Sequence, residues 1–223
     1  MSVKPLIELT ADGSHTLFVS GMDEHYHSVN GAIQESTHVF INAGMHCCKK
    51  DNIDILEIGF GTGLNAFLTL QEIKSTHKSV RYTGLELYPL PISIIEKLNY
   101  ADRYPDEDKQ LYNKLHQAEW GKEVPILPDF TLTKIECNLT GFDLSSLGHP
   151  VDLIYYDAFA PDKQPEMWSQ KIFDSLYNIT SQGGILVTYC AKGIVRRMMQ
   201  QSGYRVERLP GPPGKREMLR ATK

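Results

Sequence analysis

The chain has 223 residues, of which 41% are hydrophobic and 22% charged, and its formal net charge is −4 at pH 7. This length suits one large folded unit with a full core and leaves no room for a second. No apolar run approaches the roughly 18 residues of a membrane span, and the N-terminus lacks the basic-then-apolar layout of a secretion signal. We therefore expect a cytoplasmic protein without a membrane partner.

Residues 1–50 precede the first long strand signal and form a predicted N-terminal extension. Two short apolar segments, Leu6–Leu9 and Thr16–Val19, flank Ala-Asp-Gly-Ser, which is typical of a β-hairpin. A helix is predicted from Ile33 to Ala43. We expect this extension to pack on a main domain of residues 51–223.

Strands and helices alternate through the rest of the chain. Strands are predicted at 52–58, 80–87, 130–136, 151–156 and 184–189. Helices are predicted at 64–73, 91–98, 106–120, 166–177 and 194–201. Two final strands, 204–209 and 215–221, follow each other without a helix and should run antiparallel. The fold class is therefore α/β, a Rossmann-like domain whose mostly parallel sheet ends in an antiparallel strand.

Three alternate glycines stand between the first strand of the main domain and its helix. Gly59, Gly61 and Gly63 follow Glu57 in the pattern E-x-G-x-G-x-G. Without Cβ atoms, such a turn can adopt positive φ and let a nucleotide approach the backbone. A dinucleotide fingerprint would need glycine at position 64, where the chain has Leu64, so a nicotinamide cofactor fits poorly.

A second acid indicates which nucleotide the turn would hold. Glu86 ends the second predicted strand of the main domain, where an acid can hydrogen-bond ribose hydroxyls. The carboxylate of Glu57 would repel a pyrophosphate but tolerate a ligand that carries an ammonium group. The sequence therefore predicts S-adenosylmethionine as cofactor, with a purely structural glycine turn as the alternative.

The end of the fourth predicted strand carries the candidate catalytic group. Ligands of an open parallel sheet bind beyond the carboxyl ends of its strands, so Asp157 should face the same crevice as Glu57 and Glu86. An acid with an aromatic ring two residues later, here Phe159, resembles the D/N-P-P-Y element of amino-group methyltransferases. Asp157 could hold an amine N–H while Phe159 forms an aromatic wall. Alternatively, Asp157 caps the loop and Phe159 belongs to the core.

Positive charge is concentrated near the C-terminus. Residues 190–223 hold nine lysines and arginines against two acids, a formal +7, so the remaining residues carry −11. A basic face on an acidic protein can bind a phosphate backbone, and RNA is the expected partner. The candidate contacts near strand ends and in loops are Lys192, Arg196, Arg197, Lys215 and Arg216. The alternative is an ordinary solvated surface.

The cysteines and histidines do not indicate a metal centre. Four cysteines are present, at Cys47, Cys48, Cys137 and Cys190. None shows C-x-x-C spacing, so free thiols are expected. Three histidines, His25, His27 and His46, could be drawn with the adjacent cysteines as a zinc site, but their spacing fixes no ligand geometry. The sequence therefore predicts no metal.

Several motifs together resemble the MnmC/MnmD-type tRNA methyltransferases. They are Glu57–Gly63 with Asn65, Asp157–Pro161 with Pro165–Trp168, Gly183–Thr188, Ala191–Arg197, Gly214–Leu219 and the block Gly31–Phe40. The resemblance covers nearly the whole chain. It implies N-methylation of 5-aminomethyl-2-thiouridine at the tRNA wobble position, giving 5-methylaminomethyl-2-thiouridine. It also implies a cofactor contact for Asn65, a place for Asp157 near the acceptor amine, and a separate enzyme that supplies the aminomethyl precursor.

Two departures from this family pattern affect the expected function. Many relatives carry a C-terminal flavin-dependent oxidoreductase, whereas this chain stops at Lys223, so methylation alone is expected. Relatives often show Gly-Asp after the third strand, where this chain has Cys137-Asn138. The amide oxygen of Asn138 could still accept a hydrogen bond from an adenine amino group. Three alternatives stay open: methylation of another amine, an aminopropyltransferase acting on a polyamine, and a non-catalytic RNA-binding module.

The expected reaction raises an electrostatic problem. An alkyl ammonium group with a pKa near 10 must lose a proton before its nitrogen lone pair can attack a methyl group, and a nearby carboxylate favours the charged form. Our hypothesis is that Asp157 orients the amine and accepts or relays the proton. A dry pocket would lower the pKa of the amine.

Overall fold

The computed structural model describes residues 5–223, so the first four residues of the predicted extension lie outside the described residues. Two sheets organise the chain. One is a small antiparallel sheet in the N-terminal extension, and the other is an eight-stranded mixed sheet in the main domain.

The N-terminal extension contains the predicted hairpin and one further strand. Strands β1 (Leu6–Leu9) and β2 (His15–Val19) pair antiparallel, as predicted, and β2 also pairs with the short β3 (Glu24–His25). A two-residue strand is too short to show an alternating pattern, which is why the sequence did not reveal β3. The predicted helix is present as α1 (Ala32–Ser36) continued by a π-helical segment, Thr37–Asn42.

The main sheet consists of β4 (Asn52–Ile58), β5 (Ser79–Glu86), β6 (Glu123–Leu127), β7 (Phe130–Glu136), β8 (Val151–Tyr156), β9 (Thr180–Thr188), β10 (Arg205–Pro210) and β11 (Glu217–Thr222). Their order is β10-β11-β9-β8-β4-β5-β7-β6. The five inner strands from β9 to β7 run parallel, and β11 and β10 run antiparallel at one edge. The predicted Rossmann-like class with a terminal antiparallel strand is confirmed.

Two differences from the predicted strands concern the sheet edges. Strand β6 was not predicted, and it pairs antiparallel with β7 at the second edge. It contains Pro125, which weakens the sequence signal for a strand but is tolerated in an edge strand. The last strand begins at Glu217 rather than at the predicted 215, so Lys215 and Arg216 lie in the loop before β11.

Five further helices connect the strands: α2 (Leu64–Ile73), α3 (Ile92–Ile95), α4 (Asp106–Gln117), α5 (Gln170–Ile179) and α6 (Gly193–Ser202). Helix α3 is shorter than the predicted 91–98. Helix α5 begins four residues later than predicted, because residues 165–167 form a separate 3-10 turn and Trp168 leaves helical geometry.

The helices cover both faces of the sheet. On one face, α2 and α4 pack with the extension around Phe67, Leu115 and Tyr155. On the other face, α5 and α6 pack around Phe173 and Met199. All six residues of β8 are buried, as expected for a strand covered on both sides. Because β4 has β8 on one side and β5 on the other, connections leave it in both directions and open a crevice at the carboxyl ends of these strands.

Candidate active site

A cavity of about 360 Å³ lies at the carboxyl ends of β4, β5 and β8. Residues 24–29 of the N-terminal extension form its outer wall, and the loop before β11 contributes Lys215. His27 joins this wall to the glycine turn, because its Nε2 lies 2.8 Å from Oγ1 of Thr62. Burial lowers the pKa of His27 to about 4, so the imidazole is neutral near pH 7. The extension is thus part of the site.

Glycines are needed in this turn because protein atoms pack closely against it, as well as because a ligand must approach its backbone. Gly59 has φ +87°, and a Cβ there would lie 2.8 Å from the backbone oxygen of Asp157. Gly63 has φ +68°, and a Cβ there would lie 2.7 Å from Nε2 of His116. Gly59 and Gly61 line the cavity, but Gly63 faces protein atoms instead. Protein atoms therefore exclude side chains at both ends of the turn, in addition to the ligand access that the sequence predicted.

Glu57 and Asp157 meet at one amide group. Nδ2 of Asn65 donates to Oε1 of Glu57 at 2.9 Å and to Oδ2 of Asp157 at 2.8 Å. Glu57 is fully buried and does not line the cavity, so it lies behind Asn65 instead of facing a ligand. Burial raises the pKa of Glu57 well above its ordinary value, which favours a protonated carboxyl.

Asp157 itself faces the cavity directly after β8. Its backbone N–H donates to the carbonyl of Ile58 at 3.0 Å, which fixes the backbone of the turn. Burial raises the pKa of Asp157 to about 7, although the hydrogen bond from Asn65 acts in the opposite direction. A carboxyl group with this pKa can exchange a proton near neutral pH.

Glu86 organises the neighbouring wall. One carboxylate oxygen accepts the backbone N–H of Gly61 and the other that of Tyr88, each at 2.8 Å. The remaining lone pairs can accept hydroxyl hydrogens from a ligand. Leu87, Cys137 and Leu139 give this end of the cavity an apolar lining. The apolar lining suits a purine ring, and the carboxylate beside it suits a ribose.

Asn138 also lines the cavity, but its carbonyl oxygen is already used. Oδ1 accepts the backbone N–H of Thr140 at 3.0 Å and its hydroxyl at 2.8 Å. The amide oxygen that we expected to contact adenine is therefore partly satisfied by the protein itself.

Aromatic rings enclose the other end of the cavity, near Asp157. Phe159 packs edge-on against Tyr26 with ring centroids 5.1 Å apart, and both line the cavity. The carbonyl of Phe159 accepts the indole N–H of Trp168 at 2.8 Å. The hydroxyl of Tyr189 donates to the carbonyl of Ala158 at 2.8 Å. These contacts hold the loop after β8 in one conformation and make a walled pocket beside Asp157.

The predicted basic residues differ in their exposure and in their partners. Lys215 lines the cavity, where it pairs with Glu35, and its Nζ lies 3.9 Å from the ring centroid of Tyr189. Lys192 pairs with Asp162 outside the cavity. The other three candidates are Arg196, half-buried on α6, and the exposed Arg197 and Arg216. Within the part of the chain that the structure describes, Arg197 and Arg216 make no ion pair.

Among the residues of the cavity wall that sequence reasoning did not assign to the site are Tyr26, His27, Glu35 and Tyr189. Glu35 stands in a family-like block, but nothing local reveals its partner. Tyr189 directly follows β9, the neighbour of β8, so its position at a strand end was a signal that could have found it. Tyr26 and His27 belong to the extension and carry no such signal.

In the described part of the chain, the histidines and cysteines considered as a zinc site are not gathered around one point: two of the histidines pair with acids. His25 contacts Glu8 at 2.9 Å, and His46 contacts Glu72 at 2.7 Å. Across residues 5–223, no group of three or more histidine, cysteine or acidic side chains is arranged to hold a metal ion. All four cysteines are free thiols, as predicted. No helix in the same range is long and apolar enough to cross a lipid bilayer.

Comparisons with known proteins agree on the fold and the family. The sequence model of a family described as S-adenosyl-L-methionine-dependent methyltransferase matches residues 109–223. The chain is 29% identical, over 96% of its length, to the tRNA 5-methylaminomethyl-2-thiouridine biosynthesis bifunctional protein MnmC of Pseudoalteromonas atlantica. It is 31% identical, over 88% of its length, to the protein of the same name from Leptospira borgpetersenii. It covers 32% of each relative, about a third of their length.

Solved structures show the same fold. MNMC2 from Aquifex aeolicus superposes with a TM-score of 0.82 at 24% identity, over 97% of this chain and 69% of that one. Spermidine synthase from Thermotoga maritima superposes with a TM-score of 0.56 at 12% identity, over 99% of this chain and 73% of that one. Human methyltransferase-like protein 13 in complex with SAH superposes with a TM-score of 0.52 at 10% identity, over 85% of this chain and 82% of that one.

Proposed function

Because this chain belongs to the family of S-adenosyl-L-methionine-dependent methyltransferases, we propose that it methylates the exocyclic amine of 5-aminomethyl-2-thiouridine at the wobble position of tRNA. The product is 5-methylaminomethyl-2-thiouridine. The observation that carries this proposal is the walled pocket in which Asp157, held by Asn65, faces the end of the cofactor cavity. The similarity to MnmC proteins over most of the chain supports the choice of acceptor.

The cofactor fits the residues around the cavity. When bound, S-adenosyl-L-methionine would supply a sulfonium methyl group that an amine nitrogen can attack, so that an N–C bond forms, the S–C bond breaks and S-adenosyl-L-homocysteine leaves. Glu86 would accept the ribose hydroxyls, while Gly59, Gly61 and Asn138 would line the nucleoside. Asn65 would complete the wall beside the methyl group. Glu57 and Gly63 would act from behind, by holding Asn65 and by fitting the turn against His116.

Asp157 is the proposed catalytic residue. A protonated primary amine must lose a proton to expose its lone pair, and the carboxylate of a group with a pKa of about 7 can accept that proton near neutral pH. The hydrogen bond from Asn65 fixes one oxygen of Asp157 and leaves the other for an amine N–H. Phe159 and Tyr26 would hold the flat base and exclude water.

The proposed partner is tRNA. Lys192, Arg196, Arg197 and Arg216 would contact phosphates outside the cavity, and Lys215 would face the acceptor nucleoside inside it. A tRNA substrate implies the cytoplasm as the compartment. The reaction also requires a separate enzyme that supplies the aminomethyl group. We further propose that the N-terminal extension, residues 1–50, is a structural part of the methyltransferase domain of residues 51–223.

The test is to incubate the protein with S-adenosyl-L-methionine and tRNA that carries 5-aminomethyl-2-thiouridine, and then to measure the digested nucleosides by mass spectrometry. We expect that nucleoside to gain the mass of one methyl group replacing hydrogen. Cofactor binding without this gain would contradict the acceptor and point to another amine. RNA binding without cofactor binding would instead favour a non-catalytic module.

A further inference from the structure

A charge pair between a buried acid and a half-buried lysine joins the N-terminal extension to the acceptor end of the cavity. Glu35 on α1 pairs with Lys215, 180 residues away in the loop before β11. The second carboxylate oxygen of Glu35 accepts the backbone N–H of Ser28 at 2.8 Å, so the acid is fixed from two sides. Only 6% of Glu35 is exposed. Burying the carboxylate of Glu35 costs desolvation energy, which its pairing with the half-buried Lys215 offsets.

The cation of this pair lies close to the proposed reacting groups. Nζ of Lys215 sits 3.9 Å from the ring centroid of Tyr189, and the hydroxyl of that tyrosine is bonded to Ala158, the residue after Asp157. The loop that carries Lys215 is also held by the extension: Nε2 of His38 lies 2.9 Å from the carbonyl of Pro210. The ammonium group is therefore fixed beside the place where an amine would meet Asp157.

We propose that Lys215, positioned by Glu35, keeps the acceptor amine uncharged, so that an amine with a free lone pair is presented to the methyl donor. The inference rests on the proposed function. An isolated carboxylate beside an amine favours the ammonium form, which cannot attack. A fixed cation at the same end of the cavity opposes that effect by repelling a second positive charge. Glu35 is a positioning residue, because it fixes Lys215, and its own negative charge partly offsets the effect of that cation on Asp157.

Other charged or titratable groups face this region from every neighbouring element. They are Glu24 and His25 on β3, Tyr26 and His27 after it, Glu35 on α1, Glu86 and Tyr88 at the end of β5, Cys137 after β7, Asp157 after β8, and Tyr189 and Cys190 after β9, with Glu57 of β4 behind Asn65. Both oxygens of Glu86 accept backbone N–H groups, and Glu57 is shielded behind Asn65. Glu35 and Lys215 are therefore the two charged side chains that remain to act on Asp157, with opposite signs.

The pair predicts opposite effects for its two members. Replacing the cation by an isosteric apolar side chain, Lys215→Met, should raise the pKa of Asp157 and that of a bound amine. Neutralising the anion, Glu35→Gln, leaves the cation unbalanced and should lower both. Lys215→Arg keeps the charge and should leave the pKa of Asp157 close to its wild-type value. A loss of packing alone would not produce shifts of opposite sign.

The experiment is a carbon-13 NMR titration of protein labelled at the aspartate carboxyl carbons, with the Asp157 signal assigned by its loss in Asp157→Asn. We expect the midpoint to rise by about half a pH unit or more in Lys215→Met and to fall in Glu35→Gln. Arg205→Met, which removes an exposed cation at the first position of β10, is the matched control and should not move the midpoint of Asp157. Unchanged midpoints, or shifts of one sign in both variants, would overturn the proposal.

A kinetic measurement separates this inference from the proposed function. Single-turnover methylation of the aminomethyl-containing tRNA should show an acidic limb that moves to higher pH in Lys215→Met and to lower pH in Glu35→Gln. A limb that stays in place despite shifted NMR midpoints would refute control of the amine. A wild-type protein that leaves the nucleoside unmethylated would refute the proposed acceptor, while the titration still decides whether the pair sets the charge at Asp157.

Discussion

Asn65 donates a 2.8 Å hydrogen bond to Asp157, a residue 92 positions further along the chain. The same amide nitrogen contacts the buried Glu57 at 2.9 Å. One neutral donor thus orients the acid at the cavity and separates it from a second acid behind. Because burial raises the pKa values of both acids, the folded protein holds their protons more tightly than the unfolded chain does.

Asp157→Asn should make the cofactor-free protein more stable above neutral pH. The pKa of Asp157 rises from an ordinary 3.8 to about 7 in the folded state, so its contribution to stability is fully present below pH 3.8 and is lost as pH rises through 7. The amide avoids this loss, so we expect a gain of roughly 1–3 kcal/mol at pH 8 and none near pH 4. Urea unfolding at both pH values checks this. Equal effects at both, or the same gain in Asp51→Asn, which changes an exposed acid, would contradict it.

The same substitution should stop methylation without abolishing cofactor binding. An amide cannot accept the amine proton, so we expect the rate of methyl transfer to fall by about 10²- to 10⁴-fold. The comparison is single-turnover methylation together with calorimetric binding of S-adenosyl-L-methionine. A rate near that of the wild type, with cofactor affinity intact, would remove Asp157 from the reaction.

Gly59→Ala should disturb the site far more than Gly121→Ala. Both glycines have positive φ, +87° and +76°, so both substitutions should cost about 1–2 kcal/mol of backbone strain. At Gly59 the new Cβ would also lie 2.8 Å from the backbone oxygen of Asp157, whereas at Gly121 nothing lies within 4 Å. We therefore expect Gly59→Ala alone to weaken cofactor binding, measured by calorimetry beside thermal unfolding. Equal losses in both variants would mean that close packing is unimportant here.

Glu86→Ala should weaken cofactor binding by about tenfold or more. The substitution removes the acceptor of the Gly61 and Tyr88 backbone N–H groups and the proposed acceptor of the ribose hydroxyls. Glu136 is a matched control, because it stands opposite Glu86 on the neighbouring parallel strand but is exposed and outside the cavity wall. Calorimetric titration should show normal affinity for Glu136→Ala. Similar losses in both variants would assign the effect to strand pairing.

Arg197→Ala and Arg216→Ala should each reduce the salt dependence of tRNA binding. Each exposed cation that contacts a phosphate adds roughly 0.7–0.9 to the slope of log K against log salt concentration. Fluorescence anisotropy with labelled tRNA between low and moderate salt measures that slope. Arg205→Ala, an exposed arginine at the start of β10, is the control and should keep the wild-type slope. Unchanged slopes in Arg197→Ala and Arg216→Ala would exclude these two side chains from the tRNA interface.

The sequence by itself determined the parts of this protein that depend on near neighbours. Alternating or continuous apolar runs predicted β4, β5, β7, β8 and β9, because each strand carries its burial pattern within a few residues. The glycine turn and Asp157 were found because their positions at strand ends follow from chain order. Once the parallel order of the sheet is assumed, these ends must meet at one edge.

Only the tertiary structure decided which side chains at that edge face the cavity and which distant segments meet there. Glu57 was expected to face the ligand, but packing of α2 on the sheet buries it behind Asn65. The pairing of Glu35 with Lys215 spans 180 residues, and no local pattern encodes that helix α1 meets the loop before β11. The extension forms part of the cavity wall because the segment after β3 contacts the glycine turn through His27 and Thr62. Such contacts depend on the summed packing of the whole chain, so sequence periodicity cannot supply them.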